Sequence, residues 1–210
     1  MADFRIEKAC LARGYASVAG VDEVGRGALF GPVVAVALSF PPRFCAPRRP
    51  PWTKEINDSK LLSPTKRSGL VRGILSEALA LGVGSASNAE IDELNILRAA
   101  ELAMKRAVAE MTLKPGIVLV DGFPLKDVDY SQMGVRGGDR KSVSIAAASI
   151  VAKVLRDGLM EFYDSIFGGY GLAGHKGYGT AGHYRALRAL GPTFLHRRSF
   201  DLKIVGNGAA

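Results

Sequence analysis

Two apolar runs that each stop at acid constrain this chain most. Val18-Ala19-Gly20-Val21 runs into Asp22-Glu23, and Ile117-Val118-Leu119-Val120 runs into Asp121-Gly122. Both have strand length and neither alternates with polar residues, so each predicts a buried strand. If the two neighbour each other in one sheet, their carboxylates meet at the same end. Gly25-Arg26-Gly27 follows the first acid pair at once. Glycine there lets a ligand come close to the backbone. Asp139 lies just before a helical pattern, in a loop able to reach the same place. Like charges gathered this way are tolerable only if cations neutralise them or some groups keep their protons. Carboxylate oxygens suit a hard divalent cation such as Mg²⁺ or Mn²⁺, and such ions bind phosphate esters alongside. Taken singly, each acid reads as a turn cap or a partner of Lys or Arg. At Asp22-Glu23, before Gly-Arg-Gly, the metal reading leads.

The rest of the pattern fits a mixed α/β domain. Residues 18–23 and 33–40 read as adjacent antiparallel strands, since the link between them is short and glycine-rich. Residues 41–51 hold five of the ten prolines with Arg43, Arg48 and Arg49, and predict a surface loop or insertion. Ser63-Pro64 predicts an N-cap with proline at the first helical position. That helix would bury Leu70, Ile74, Leu75 and Leu79. Residues 82–87 predict a short strand. Asn88 then caps one long helix carrying Ile91, Leu94, Leu97, Met104, Val108 and Met111, ended by Pro115-Gly116. Residues 123–141 read as irregular. Ser144 to Phe162 predicts a helix, and Thr180 caps a last one through Leu190, closed by Gly191-Pro192.

Charge points to the partner. The net charge is +8 and the pI about 9.7. From Arg136 to Lys203 there are eleven Lys/Arg against five Asp/Glu. Such an excess favours a polyanion, nucleic acid before all others. Cys10 and Cys45 show no metal-ligand spacing, and a reduced, cytoplasmic compartment is the expectation. No segment of signal-peptide character opens the sequence, and no run of 18 apolar residues predicts a membrane span.

Several blocks together resemble the ribonuclease HII family. Val21-Asp22-Glu23-Val24-Gly25-Arg26-Gly27 is similar to its signature. Asp58-Ser59-Lys60, Ile91-Asp92-Glu93-Leu94-Asn95-Ile96, Leu119-Val120-Asp121-Gly122, Gly138-Asp139 with Lys141-Ser142, His175-Lys176-Gly177-Tyr178-Gly179-Thr180 and His196-Arg197-Arg198-Ser199-Phe200 follow in the family's order. The resemblance implies a ribonuclease H-like fold, a central mixed sheet flanked by helices with a C-terminal helical extension. It divides a single domain into a catalytic core at about 16–165 and a C-terminal helical, substrate-binding portion at about 166–205. It implies cleavage of RNA in RNA–DNA hybrids, and incision 5′ of single ribonucleotides in duplex DNA. Two divalent ions, Mn²⁺ or Mg²⁺, would be held by Asp22, Glu23, Asp121 and Asp139, with Asp22 bridging. Substrate contacts would come from Gly25, Arg26, Gly27, Lys60, Asn95, Lys141 and Tyr178, the tyrosine stacking on a sugar and bonding the 2′-hydroxyl; Asn95 could instead simply cap the local turn. A monomer acting in ribonucleotide removal from DNA is expected. Gly137 stands where the family often has lysine, so a phosphate contact there would be lost or pass to Arg136 or Arg140.

Lys176, Arg197 and Arg198 are further candidate phosphate contacts. Gly177-Tyr178-Gly179-Thr180-Ala181-Gly182 matches G-x-G-x-x-G, but no apolar strand precedes it, so it is not a dinucleotide site. His175, His183 and His196 lack metal-site spacing, and a surface role is expected for His175. Two other readings remain open from sequence. One is a different ribonuclease H-like nuclease, such as a junction resolvase or an exonuclease. The other is a nucleic-acid-binding protein without catalysis.

Overall fold

The computed structural model describes residues 2–46, 49–56 and 63–203. Lys60, with its Asp58-Ser59 neighbours, and the tail 205–210 lie outside the described residues. Five strands form one mixed sheet: β1 (Val18–Val24), β2 (Val33–Ser39), β3 (Ala80–Ala86), β4 (Ile117–Asp121) and β5 (Gln132–Val135), in the order β3-β2-β1-β4-β5. β1 pairs antiparallel with β2, and β2 with β3. β4 lies parallel to β1 on one side and to β5 on the other. The register Val21↔Val120 sets Asp22 and Asp121 side by side where both strands end. The pairing Asp121↔Val135 then brings the chain leaving β5 to the same edge, four residues before Asp139.

Helices cover both faces. They are α1 (Arg5–Ala12), α2 (Pro64–Glu77), α3 (Asn88–Leu94), α4 (Ile96–Ala109), α5 (Val143–Ile166), α6 (Leu172–His175) and α7 (Ala181–Leu190). α4 lays Ala99, Ala103, Met104, Ala107 and Val108 on Val21, Val33 and Ala35 of the sheet. α5 lays Ala146, Ala147, Ile150 and Val151 on the opposite face, with Val36, Leu38 and Phe40. A Cβ on Gly20 would stand 2.7 Å from the Ser144 carbonyl oxygen, so only glycine lets the start of α5 rest on β1. That contact fixes the helix beginning just after Asp139 against the strand carrying Asp22. Each large aliphatic side chain buried between these layers contributes about 1.5–3 kcal/mol. A third cluster, around Phe30, Met160, Leu172 and Leu187, joins α5 to the C-terminal α6 and α7.

Several expectations change in detail. β5 lies inside the segment read as irregular, and α1 was not expected. The proline-rich segment lies largely at the surface, as expected, but it is not wholly irregular. It makes two 3-10 turns, Pro42–Cys45 and Pro51–Lys54, and its Phe44 and Trp52 pack on Phe40. Ser87 rather than Asn88 is the N-cap of α3, in a capping box with Glu90. The single long helix is two. Asn95 breaks it at φ 70°, ψ 163°, a conformation that costs a non-glycine residue about 1–3 kcal/mol. Its Oδ1 offsets part of that cost by accepting from the Leu97 and Arg98 N–H groups, 3.0 and 3.2 Å away, to start α4. Leu75, Leu79 and Leu97, expected in the core, are 49%, 42% and 60% exposed. α2 and α4 each bury a narrower stripe than their apolar content suggests.

Candidate active site

The carboxyl end of β1 and β4 opens into a cleft of about 690 Å³. Asp22, Glu23, Gly25, Arg26, Gly27, Asp121, Asp139 and Tyr178 line it together, with Arg67, Ser149 and Lys153. Asp22 is the most enclosed of the acids at 6% exposure. It accepts from the Glu23 N–H at 2.8 Å and is hydrogen-bonded by the Ser149 hydroxyl. Burial, then the charges of Glu23 and Asp121, hold its carboxyl well above the usual carboxylate range. Burial also raises Glu23, against the pull of the Arg26 guanidinium, whose Nη1 lies 3.3 Å from Glu23 Oε1. Asp121 Oδ1 accepts from the Gly138 N–H at 2.6 Å. That bond ties the end of β4 to the 3-10 turn Gly138–Arg140, which carries Asp139 into the cleft.

The donor set is all oxygen and concentrates negative charge, which fits hard divalent cations and not soft ones. Among the described residues no three acidic, histidine or cysteine side chains form a finished metal cage.

The glycine loop is built from behind. Two fully buried arginines hold its carbonyls. Arg156 donates to the oxygens of Pro32, Lys176 and Phe30 at 3.1, 2.8 and 2.9 Å. Arg197 donates to those of Gly31 and Arg26 at 3.0 and 2.8 Å. Antiparallel bridges Ala28↔Tyr178 and Phe30↔His196 stitch the loop to the C-terminal segments. Burial, and then the neighbouring Arg156, pull Arg197 down to about 9. Arg197 is therefore a brace and not the phosphate contact its sequence block suggested.

Other residues also move from their expected places. Lys141 does not reach the cleft. Its Nζ donates to the Arg136 carbonyl at 2.8 Å, and the residue lines a separate groove beside α1, because the turn that swings Asp139 inward carries Lys141 away. Asn95 is not in the cleft lining. Lys176 pairs with Glu161 at 2.6 Å. His175 is half-buried, not a surface residue. Arg67 and Lys153, which the sequence reading missed, line the cleft as Arg26 does, both held by Asp157 at 3.6 and 2.7 Å. Ser149, Lys153 and Asp157 recur every four residues on α5, one stripe of the helix that starts beside Asp139. That spacing was the available signal.

No helix among the described residues is long and apolar enough to cross a membrane. The family model described as Ribonuclease HII matches residues 19–203, a span holding all four carboxylates, the glycine loop and Tyr178. A ribonuclease HII of Moorella thermoacetica is 50% identical over 188 residues, 90% of this chain and 88% of that protein. The ribonuclease H2 of Pyrococcus horikoshii superposes with a TM-score of 0.70 at 25% identity, over 89% of this chain and 94% of that one. A Bst ribonuclease HIII solved in complex with Mn²⁺ shares the fold, with a TM-score of 0.60 at 21% identity over 89% of this chain and 67% of that one. Identity of this extent, carried by a chain whose acids and glycine loop meet in one basic-rimmed cleft, makes the protein a member of the ribonuclease HII family, an endonuclease that hydrolyses RNA in RNA–DNA hybrids.

Proposed function

We propose that the protein also incises duplex DNA on the 5′ side of a single embedded ribonucleotide, leaving a 3′-hydroxyl and a 5′-phosphate, and that it serves ribonucleotide removal in the cytoplasm. The observation that carries this reading is the convergence of Gly25-Arg26-Gly27 and Tyr178 with the four acids on one cleft. A hybrid offers a 2′-hydroxyl at every RNA position, whereas an embedded ribonucleotide offers one. The enzyme must then read that one group closely. Gly27 is suited to it, because no heavy atom lies within 4 Å of where its Cβ would stand. A sugar can approach the backbone there. Tyr178 flanks the same opening and would stack on the adjacent sugar while its hydroxyl bonds the 2′-hydroxyl. Arg67 and Lys153 would take the flanking phosphates, as would Lys60, and any contact from Asn95 falls to its amide nitrogen.

Asp22, Glu23, Asp121 and Asp139 would hold two Mn²⁺ or Mg²⁺ ions, with Asp22 shared between them. When bound, such ions activate the attacking water and relieve charge on the leaving 3′ oxygen. The chain's own part is to orient. Ser149 and the Glu23 N–H fix Asp22, the Gly138 N–H fixes Asp121, and the arginine-braced loop fixes the sugar. The protein would act as a monomer, with the C-terminal segments of 166–205 binding substrate beside the core.

The test is a labelled duplex carrying one ribonucleotide, incubated with Mn²⁺ or Mg²⁺ beside an all-DNA duplex and a four-way junction. A single nick 5′ of the ribonucleotide, with both controls uncut, is the expected result. Cutting of the junction would instead support a resolvase. Tyr178→Phe should slow the nick, and an unchanged rate would remove the hydroxyl contact.

A second prediction concerns pH. Asp22 and Glu23 keep their protons to higher pH in the folded chain than in the unfolded one. Their contribution to stability is full below the ordinary carboxyl value of about 4 and is lost as pH rises through their raised folded values. A cation replaces those protons. The rise in melting temperature on adding Mn²⁺ should therefore be larger at pH 8 than at pH 5.5. Buried His183 and His196, held low, oppose this trend in either sample alone but cancel in the difference. An increment independent of pH would argue against carboxylate binding.

A further inference from the structure

Behind the cleft buried His183 and His196, with half-buried His175, form a group that the reaction chemistry does not use. His196 Nδ1 lies 2.9 Å from the Thr193 N–H, which donates to it. That nitrogen therefore carries no proton, and the ring's proton sits on Nε2. His196 Nε2 lies 3.1 Å from His183 Nε2, so His196 donates and His183 accepts. The single proton of His183 is then on Nδ1, which donates to the Tyr178 carbonyl at 3.1 Å. His175 is fixed independently. Its Nδ1 accepts from the Gly177 N–H at 3.2 Å, and its Nε2 donates to the Tyr170 carbonyl at 2.7 Å. Its ring stacks on His183 with centroids 4.3 Å apart.

Each ring thus has one permitted tautomer, set by a backbone group at the end of the chain. A second proton on His196 would face the Thr193 N–H. A second proton on His183 would face the proton of His196. Both rings are closed to solvent, at 0% and 1% exposure. Burial, then the neighbouring His183, accordingly pushes His196 down to about 4. The Tyr178 carbonyl also accepts from the Thr180 N–H at 2.8 Å, so both its lone pairs are used. The two residues before Tyr178 have positive φ, Lys176 at 52° and Gly177 at 79°. A segment with that backbone does not hold its place by local preference alone. Its position is set from outside, by Ala28 and the Arg156 donor to the Lys176 carbonyl on one side and the histidine chain on the other.

We propose that His183 and His196 are positioning residues: a relay of fixed tautomers from Thr193 through both rings to the Tyr178 carbonyl holds the Tyr178 ring at the cleft and thereby sets the rate of incision at an embedded ribonucleotide. The proposal rests on the reading of Tyr178 as a substrate contact. Misplacing a contact group by about 1 Å can cost up to about a hundredfold in rate.

The experiment measures single-turnover incision of a one-ribonucleotide duplex by wild type, Tyr178→Ala, His183→Phe, the double variant, and His183→Asn. The asparagine amide can still donate to the Tyr178 carbonyl. His183→Phe should lose about tenfold or more, His183→Asn should recover most of that loss, and the double variant should be no slower than Tyr178→Ala alone. Tyr178→Ala at the wild-type rate would defeat the reading of Tyr178 itself. If Tyr178→Ala is slow but His183→Phe matches wild type, or if the two losses multiply, or if Asn is as slow as Phe, the relay is overturned while the tyrosine reading stands. A readout free of activity is the imidazole nitrogen spectrum of the wild-type protein. It should show His196 protonated on Nε2 alone and His183 on Nδ1 alone, unchanged between pH 7.5 and pH 5.5. The opposite tautomer at either ring would overturn the proposal even if every variant were slow.

Discussion

Asp22→Asn should lower cleavage of an RNA–DNA hybrid by at least about a thousandfold, some 4 kcal/mol of transition-state stabilisation, while leaving hybrid affinity within a few fold. The same substitution should raise the melting temperature of the metal-free protein. The two effects share one cause. Asp22 stands at the end of β1, nearly closed to solvent, with Glu23 and Asp121 as its charged neighbours. Two like charges about 4 Å apart repel by about 4 kcal/mol at an effective dielectric near 20. Removing the buried member relieves that repulsion in the folded chain and not in the unfolded one. The asparagine amide is nearly isosteric and can keep an oxygen toward the Glu23 N–H, so the strand end should not move. Lost with it is the anionic oxygen through which two ions would be shared. Binding is expected to survive because Arg67, Lys153 and the glycine loop, which line the same cleft, would contact the nucleic acid without Asp22. Rate assays, hybrid titration and thermal melts on one preparation check all three outcomes. A variant that cuts at the wild-type rate would remove Asp22 from the chemistry. One that melts lower than wild type would show that the aspartate stabilises the strand end.

The strands bearing the acids were legible because their apolar runs are long and unbroken. The sequence also said what would follow if they were neighbours, and the parallel register of β1 with β4 meets that condition. β5 was not legible. It is a short edge strand of Gln132-Met133-Gly134-Val135, and only Val135 is buried, so no apolar period marks it. α1 was hidden for a related reason. Its buried face includes Glu7, whose Oε1 accepts from the Ser142 hydroxyl and the Ser144 N–H at 2.7 and 2.9 Å to cap α5. A carboxylate doing interior work reads in sequence as surface. At Asn95 a local cap is one reading of the residue, but the helix break itself was not legible because helical spacing continues across it. What stops the helix is one residue's backbone conformation.

Charge was the least transferable signal. Counting cations gave the correct class of partner, but it could not say which cation faces the ligand. Arg156 and Arg197 are both fully buried among carbonyl oxygens, although Arg197 reads in sequence as a solvated charge or a candidate phosphate contact. Arg67 and Lys153 belong to no motif, yet they line the cleft with Arg26. A long basic side chain is equally able to reach outward to an anion or inward to backbone carbonyls. The choice is made by tertiary packing, here by the loop that crosses over α5.

That crossing makes the glycine loop the place where two nearly identical substitutions should part most widely. Gly25 has φ 95°, a conformation that L side chains rarely adopt, and a Cβ there would stand 2.6 Å from Cδ and 2.8 Å from Cζ of Arg156. Arg156 cannot withdraw easily, because its guanidinium donates to three carbonyls in a fully buried site. Displacing it leaves those acceptors unpaired at roughly 1–3 kcal/mol each. Gly25→Ala should therefore lower stability by about 3 kcal/mol or more and abolish cleavage, since both the loop and the Tyr178 segment it pairs with depend on the brace. Gly27 has no such backing and an unexceptional backbone, so a methyl group there meets only open space in the free protein. Gly27→Ala should keep the wild-type melting temperature and lose activity by steric exclusion of the sugar, first on duplexes with a single ribonucleotide. Melting curves separate the two variants, and the ratio of rates on hybrid and single-ribonucleotide substrates locates the second effect. Wild-type activity in Gly27→Ala would mean that the sugar does not approach the loop from this side. Near-normal stability in Gly25→Ala would mean that Arg156 yields, and that the loop is held chiefly by its pairing with the segments around Tyr178 and His196.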